Sequence, residues 1–533
     1  MKNKNSWNII IMALFLLTTA SFISCSDFLD PESYDSFLPD DLFKDVDNLG
    51  AVTLGVYSEL ATTDGYGRNV PNMDAFSDLD MIKTGSMNVN YGDVAQLANF
   101  NVSKDNSQIQ ALYKILYESI YRANEIIANA HQAEIESSDD QRRVDMYIAE
   151  AKAARAFFYF ELVKRWGDIP MRLEPKDANN LFEPRTDRKV IYDQIIGDMQ
   201  EAIPDLPWHN DTWAEPGHMT KGAAMGLLTR ICLFAGGYSL RMDGTMQREA
   251  NWKDYYELAD EVSKELVNSG RHSLNTSYEN IFYTICQNKT EPLECLFEIQ
   301  MAYLSNDSKH ASCIGGGAVK VHTSRYAWCK YDAEDTRLYV NVGITDPSLT
   351  ANYSCNTNGK WRQEWQTERM NWNQTDINNV ILRYAEVLLM RAEILNVLNA
   401  GPNDEAVELV NKVRRRGYGL EINEKSELAD VPEEAKVDEL AFAAFLRDEY
   451  ARELLGEGGR RFHLIRWNLL KATIDDMTRI FNDPELKGLY FDNTFKNFWP
   501  ATMFVSGKHE LYPIPTWEMT ENQGFNGINN PGY

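Results

Sequence analysis

Three glutamates, Glu449, Glu453 and Glu457, recur at four-residue spacing in the stretch LRDEYARELLGEGGRRFHLIRW. That spacing puts side chains on one helix face, and two carboxylates brought together by a fold are all that glycoside hydrolysis requires. The same stretch carries Arg447, Arg452, Arg460 and Arg461. Opposite charges three and four apart on a helix pair with one another, so the expectation is an ion-paired structural face and no catalytic residue. His463, alone among Phe462, Leu464 and Trp467, reads as a packed helix residue. The run IGGGAV lacks the Lys-Ser/Thr of a phosphate loop, and no HExxH, GxSxG or EF-hand spacing occurs. No cofactor or metal is expected. Scattered Asp and Glu leave polysaccharide cleavage as an alternative that no particular pair selects.

Chemistry of another kind is offered by HTSRYAWCKYD, which brings Arg325, Tyr326 and Trp328 together. A sugar ring presents an apolar C–H face and a rim of hydroxyls, so its site wants aromatic faces with polar groups at their edges. Trp361 and Trp365, at four spacing, read instead as one face of a short helix, and Trp166 and Trp467 as part of the helical framework.

The elements that must hold these residues are mostly helices, with apolar residues at three and four spacing and Gly or Pro at the ends. The pattern predicts helices over residues 41–62, 109–130, 142–166, 189–203, 219–238, 252–269, 377–399, 404–416 and 439–456. They come in pairs, as in an αα-hairpin repeat. EAKAARAFFYFELVKRWG and TKGAAMGLLTRICLFAGG lie in register at an offset of 69 residues, with Lys152 on Lys221, Ala154 on Ala223, Phe158 on Leu227 and Gly167 on Gly236. The offset is about twice the ~34-residue tetratricopeptide period. Small residues at one point of a helix admit a close neighbour, and a glycine ends the turn. Two regions break the pattern. Residues 287–376 hold four of the twelve tryptophans and many Asn, Asp and Thr; residues 64–106 hold Tyr66, Asn72, Asp74, Asp78, Tyr91 and Asn101. Loops this long inside a domain are functional or disordered, and so high an aromatic content argues for function.

At the N-terminus, Lys2 and Lys4 precede the apolar run Ile9–Leu17, and Thr18–Ser24 returns to smaller residues. This is the plan of an export signal, too short for the ~20 apolar residues of a spanning helix. Phe22-Ile23-Ser24-Cys25 resembles a bacterial lipobox, in which cleavage precedes a lipidated cysteine; several acyl chains on Cys25 would anchor the chain stably. Loss of residues 1–24 removes two lysines and no acids, taking the formal charge from -26 to -28. Nucleic acid and anionic membrane surfaces are thereby unfavourable partners. The six later cysteines, at 232, 286, 295, 313, 329 and 355, show no CxxC or zinc spacing, and an oxidising compartment permits disulfides of undetermined pairing among them.

Several blocks together resemble the SusD/RagB family of outer-membrane nutrient-binding lipoproteins. They are CSDFLD, YESIYRANEII, AEAKAARAFFYFELVKRWGDIPMRLEP, TKGAAMGLLTRICLFAG, ILRYAEVLLMRAEILN, ARELLGEGGRRFHLIRW, LYPIPTWEM and the terminal NNPGY, in family order over nearly the whole chain. The resemblance implies a mainly α fold: four tetratricopeptide-like helix pairs in a right-handed superhelical scaffold, supporting a loop-rich ligand-binding half. In this chain the scaffold would span about residues 38–270 and 377–470, and the ligand-facing loops about 64–106 and 287–376, in one domain from Cys25 to Tyr533. It also implies lipid anchoring at the outer membrane, a glycan ligand, and a standing complex with a SusC-like TonB-dependent transporter. Because members draw ligand contacts from both loop regions, Asn72, Asp74 and Tyr91 join Arg325, Tyr326 and Trp328 as candidate contacts. A helical polysaccharide-degrading lipoprotein and a ligand-free repeat scaffold are the alternatives.

Overall fold

The computed structural model describes residues 42–74, 77–82, 92–177, 182–301, 321–342, 359–362, 365–367, 376–491, 498 and 500–533. The leader, Cys25, Tyr91, Cys313, Cys355 and the IGGGAV run lie outside these residues.

Helices begin where short polar side chains take up the first free amides. Asp45 accepts from Asp47 and Asn48 to open α1 (Val46–Leu54), Asn106 opens α2 (Ser107–Asn129), and Ser137 opens α3 (Ser138–Trp166). In α3 Asp139 and Asp140 sit in the first turn and Lys164 and Arg165 in the last, complementing the helix dipole at both ends. Asp187 caps α4 (Arg188–Ala202) and Thr220 caps α5 (Lys221–Ala235); α6 (Trp252–Asn268) follows, and Ser277 caps α7 (Tyr278–Cys286). After the second loop region come α8 (Tyr384–Leu398), α9 (Asp404–Gly417, capped by Asn403), α10 (Glu439–Glu453, capped by Asp438), α11 (Arg460–Arg466) and α12 (Leu470–Asn482).

Successive helices pack on one another: α2 on α3, α3 on α4, α5 on α6, and α8 on both α9 and α10, with α4–α5 and α6–α8 contacts joining the pairs. This is the tetratricopeptide-like arrangement of helix pairs. Because α5 and α8 are enclosed by neighbours, they are apolar or paired on every face: Gly222–Ala235 and Tyr384–Asn396 are buried without interruption. One apolar core runs through the scaffold, from Val46 in α1 to Phe525 near the C-terminus.

The two segments that align at 69 residues are α3 and α5. Ala154 and Ala223 are both fully buried at their helix contacts. The aligned glycines serve different ends. Gly167 takes φ +71°, a conformation that side chains disfavour, whereas Gly236 is right-handed helical and is needed for space: a Cβ there would stand 2.9 Å from the Trp252 carbonyl oxygen.

One predicted helix is divided. Residues 377–399 begin as a strand, Asn379–Arg383, which pairs antiparallel with Cys295–Ile299, and only Tyr384 starts α8. The strand is buried almost throughout, so it shows no alternation of polar and apolar residues that would separate it from a buried helix. Residues 41–62 are likewise shorter as a helix, since α1 gives way to a 3₁₀ turn over Gly55–Tyr57. The helices α7 and α12 are absent from the sequence expectation; α7 leads directly into the second loop-rich region.

Candidate functional site

The two loop-rich regions meet. Asp80–Ile82 from the first forms an antiparallel ladder with Val321–Thr323 from the second, with Asp80 opposite Thr323. Ser324 continues the join. Its amide donates to the Leu79 carbonyl, its hydroxyl donates to the Asp78 carbonyl at 2.9 Å, and the same oxygen caps a single helical turn, Arg325–Trp328, by accepting from the Ala327 amide. Ala327 is the buried residue of that turn, seated against Leu79, Ala451 and Leu455. Its three neighbours Arg325, Tyr326 and Trp328 are each half-buried, Tyr326 packing against the small core of Met477, Ile480 and Phe491.

Tyr326 is held from two sides. Its ring meets Tyr490 edge-on at 5.6 Å, and the Lys330 ammonium lies 4.7 Å from its centre. Lys330 in turn donates to Asp448 at 2.8 Å. Burial would depress the Lys330 ammonium, but the Asp448 carboxylate prevails and holds it above the ordinary lysine range. The Tyr326 phenol is raised, chiefly by burial. The Trp328 indole N–H finds no acceptor among the described residues. The turn thus presents a fixed ring, a second ring and a guanidinium on one short platform, fastened to α10 beneath it.

Asn72 and Asp74 are placed elsewhere. They lie in a short helix, Asn69–Asp74, and both are buried. Both carboxylate oxygens of Asp74 accept from Arg165 Nη2, at 2.6 and 2.7 Å, and Arg165 also donates to Glu161, so this carboxylate ties the first loop region to the end of α3. Neither side chain offers an exposed face to a large ligand, which corrects the expectation of a loop surface there. Between this helix, Asp80 and the Gly456–Gly459 turn lies a cavity of about 80 Å³, with room for a few ordered waters and no more. Asp80 in its wall has no cation within ion-pair distance among the described residues; burial, reinforced by Asp78, pushes its carboxyl up to about 8. Asp78 itself is paired to Arg460 at 2.9 Å.

The three regularly spaced glutamates are structural, with partners unlike those expected. Within α10 only Arg452 pairs with Glu449. The other partners come from far along the chain: Arg337 and Arg414 to Glu449, Arg337, Arg383 and Arg416 to Glu453, and Arg383 and Lys360 to Glu457. Arg337 and Lys360 belong to the second loop region, so this buried network anchors that region to α10. His463 is buried among Phe234, Tyr450 and Trp467, and burial followed by nearby arginines holds it well below the ordinary histidine range. Among the described cysteines, Cys232, Cys286 and Cys295 are buried thiols and Cys329 is exposed, with no disulfide joining any two of the four.

Comparison with known proteins places this architecture. The SusD family model matches residues 247–533, more than half of the chain, and a second model, described as starch-binding and associating with the outer membrane, matches residues 27–233. A SusD-like protein of Formosa agariphila is 27% identical over 97% of this chain and 99% of its own length. A solved SusD homolog from Bacteroides thetaiotaomicron superposes with a TM-score of 0.79 at 25% identity, covering 95% of this chain and 100% of the other. Surface glycan-binding protein A from Bacteroides fluxus shares the fold with a TM-score of 0.67 at 20% identity, over 91% of this chain and 99% of that one. Among the described residues no helix is long and apolar enough to cross a membrane. The chain belongs to the SusD family.

Proposed function

We propose that this protein is a non-catalytic, cell-surface glycan-binding lipoprotein, anchored in the outer membrane through acyl chains on Cys25, that captures oligo- or polysaccharide for a SusC-like TonB-dependent transporter. The observation that carries the glycan reading is the Arg325–Trp328 turn. Half-exposed aromatic and cationic side chains stand there on a segment stitched to a rigid helical frame, the arrangement that stacking on sugar faces and bonding to their hydroxyls demands. Family membership and the glycan-binding name of a structural relative support it. Binding in place of hydrolysis is supported by Glu449, Glu453 and Glu457, whose carboxylates are all engaged by buried cations.

A glycan array probed with the full chain, purified in detergent, tests the reading. At least one neutral polysaccharide is expected to bind without release of reducing sugar. Absence of binding across the array, or reducing-sugar release from a bound polysaccharide, would overturn it.

A further inference from the structure

A second depression opens at the N-terminal end of α7, between that helix and the short helix Arg337–Val342. Its volume is about 550 Å³. Small-molecule sites span roughly 300–1,000 Å³, so it has the size for a saccharide unit that the cavity beside Asp80 lacks. Tyr278, Val340 and Arg416 form its buried floor, while Thr276, Glu279, Tyr339 and Arg362 stand around it.

The floor is rigid. The Tyr278 hydroxyl lies 2.9 Å from the Asn341 side-chain oxygen and 2.8 Å from the Glu453 carbonyl oxygen, and Arg416 is clamped by Glu294 and Glu453. Arg362 donates through Nε to the Gly359 carbonyl and through Nη2 to the Tyr339 carbonyl. Its Nη1 stands 3.9 Å from Glu279, near enough to balance the charge yet too far for a hydrogen bond. Each cation in the wall thus has its carboxylate, and the depression carries polar groups without net charge.

Beside it lies an aromatic strip. The Arg362 guanidinium stacks 4.4 Å from the Trp365 ring, and Trp365 meets Tyr283 edge-on at 5.9 Å. Tyr283 lies one helical turn beyond Glu279 on α7, hence on the same face, and is 42% exposed. A ring so exposed, braced by a second ring that is itself braced by an arginine, is ready to stack with little ordering cost.

We propose that this depression and its strip form a glycan-binding subsite for an uncharged oligosaccharide, in which Tyr283 and Trp365 stack on sugar faces while Thr276, Glu279, Tyr339 and Arg362 bond to hydroxyls. The proposal rests on the glycan-binding reading above and adds a location separate from the Arg325–Trp328 turn. The two lie at opposite ends of one segment, residues 321–342, and are joined by a hydrogen bond from the Asn341 amide to the Tyr331 hydroxyl.

The test is calorimetric titration of the full chain in detergent with maltohexaose, laminarihexaose, xylohexaose, mannohexaose and tetragalacturonate. Tyr283→Ala and Glu279→Gln, both on an exposed helix face, are each expected to weaken the hexasaccharide that binds the parent by at least tenfold with an unchanged melting temperature. If both variants bind it like the parent, the subsite is overturned while glycan capture stands. Preference for tetragalacturonate over every neutral hexasaccharide would overturn the uncharged assignment. If no saccharide in the panel binds the parent, glycan capture itself fails, and the subsite with it.

Discussion

Replacing Glu453 by Gln separates a structural carboxylate from a chemical one. Its two oxygens accept from Arg337 at 2.9 Å, Arg383 at 2.8 Å and Arg416 at 2.6 Å, and all four side chains are without solvent exposure. Glutamine keeps the volume but loses the charge, and its amide nitrogen turns a donor toward guanidinium donors. Arg337 retains Asp335 and Glu449, Arg383 retains Glu294 and Glu457, and Arg416 retains Glu294, so each cation is weakened and none is stranded. Breaking a buried charge pair costs about 3–5 kcal/mol. At about 2.1 cal/mol/K of unfolding entropy per residue, a chain of this length unfolding in one step loses roughly 1 °C per kcal/mol, so the melting temperature should fall by about 3–5 °C. Burial raises the Glu453 carboxyl, but Arg416, Arg383 and Arg337 outweigh it and hold it at about 2. A depressed carboxyl contributes stability above its unfolded range and loses it as pH falls toward the folded value. The gap between parent and variant should therefore be constant from pH 8 to about 5 and narrow below about 4. Thermal melts across pH read this directly. A variant that melts like the parent would refute the network's structural role. A folded variant that had lost a reducing-sugar activity present in the parent would make Glu453 catalytic.

Ala223→Leu should destabilise by about 1–3 kcal/mol through overpacking at a fully buried helix contact, and Ala154→Leu by a similar amount; parent-like melts of both would refute the close contacts of α3 and α5. Cys25→Ala should leave the fold intact and release the protein from membrane fractions of cells lacking the transporter partner, and retention there would count against the lipid anchor. Asp80 carries a folded pKa of about 8, well above the unfolded value, so it binds a proton more tightly when folded and its contribution declines as pH rises from about 4 to 8. Asp80→Asn should flatten the loss of stability over that window, which approaches about 1.4 kcal/mol per pH unit; an unchanged slope in denaturant melts would refute the shift.

Much of the frame was legible because its signals are local. The helices over 142–166 and 404–416, and the buried Ala154 and Ala223, follow from patterns spanning a turn or two, although α3 begins earlier than its apolar pattern indicates, at Ser138 behind the Ser137 cap. The glutamates of α10 were legible as structural from their neighbouring arginines, yet their main partners, Arg337, Arg383 and Arg416, come from distant segments that no spacing rule connects. Asn379–Arg383 reads as helix because a strand buried on both faces shows no period of two. The pair Trp361 and Trp365 was misleading for a different reason. Helical spacing would give both one environment, but the structure buries Trp361 against Phe282 and leaves Trp365 half-exposed under Arg362. Asn72 and Asp74 sit in a polar, glycine-flanked stretch that reads as loop, and Arg165, some ninety residues on, draws Asp74 inward. At Arg325–Trp328 the aromatic and cationic composition is visible, but not the ladder and the Ser324 cap that bury Ala327 and leave its neighbours half-exposed.

If ligand is held by the loop-built face while the helical frame only supports it, one substitution in each should separate binding from stability. Calorimetric titration of Trp328→Ala with a glycan that binds the parent tests this most directly, with Trp467→Ala, whose indole N–H donates to Glu393 at 2.9 Å within the frame, as the comparison. Trp328→Ala should lose about 1–3 kcal/mol of affinity, the scale of an interface hot spot, with little change in melting temperature. Trp467→Ala should do the reverse, losing about 3 kcal/mol of stability or more while its folded fraction binds like the parent. Unfolding of Trp328→Ala, with binding per folded molecule unchanged, would instead place the aromatic turn in the core and the ligand elsewhere.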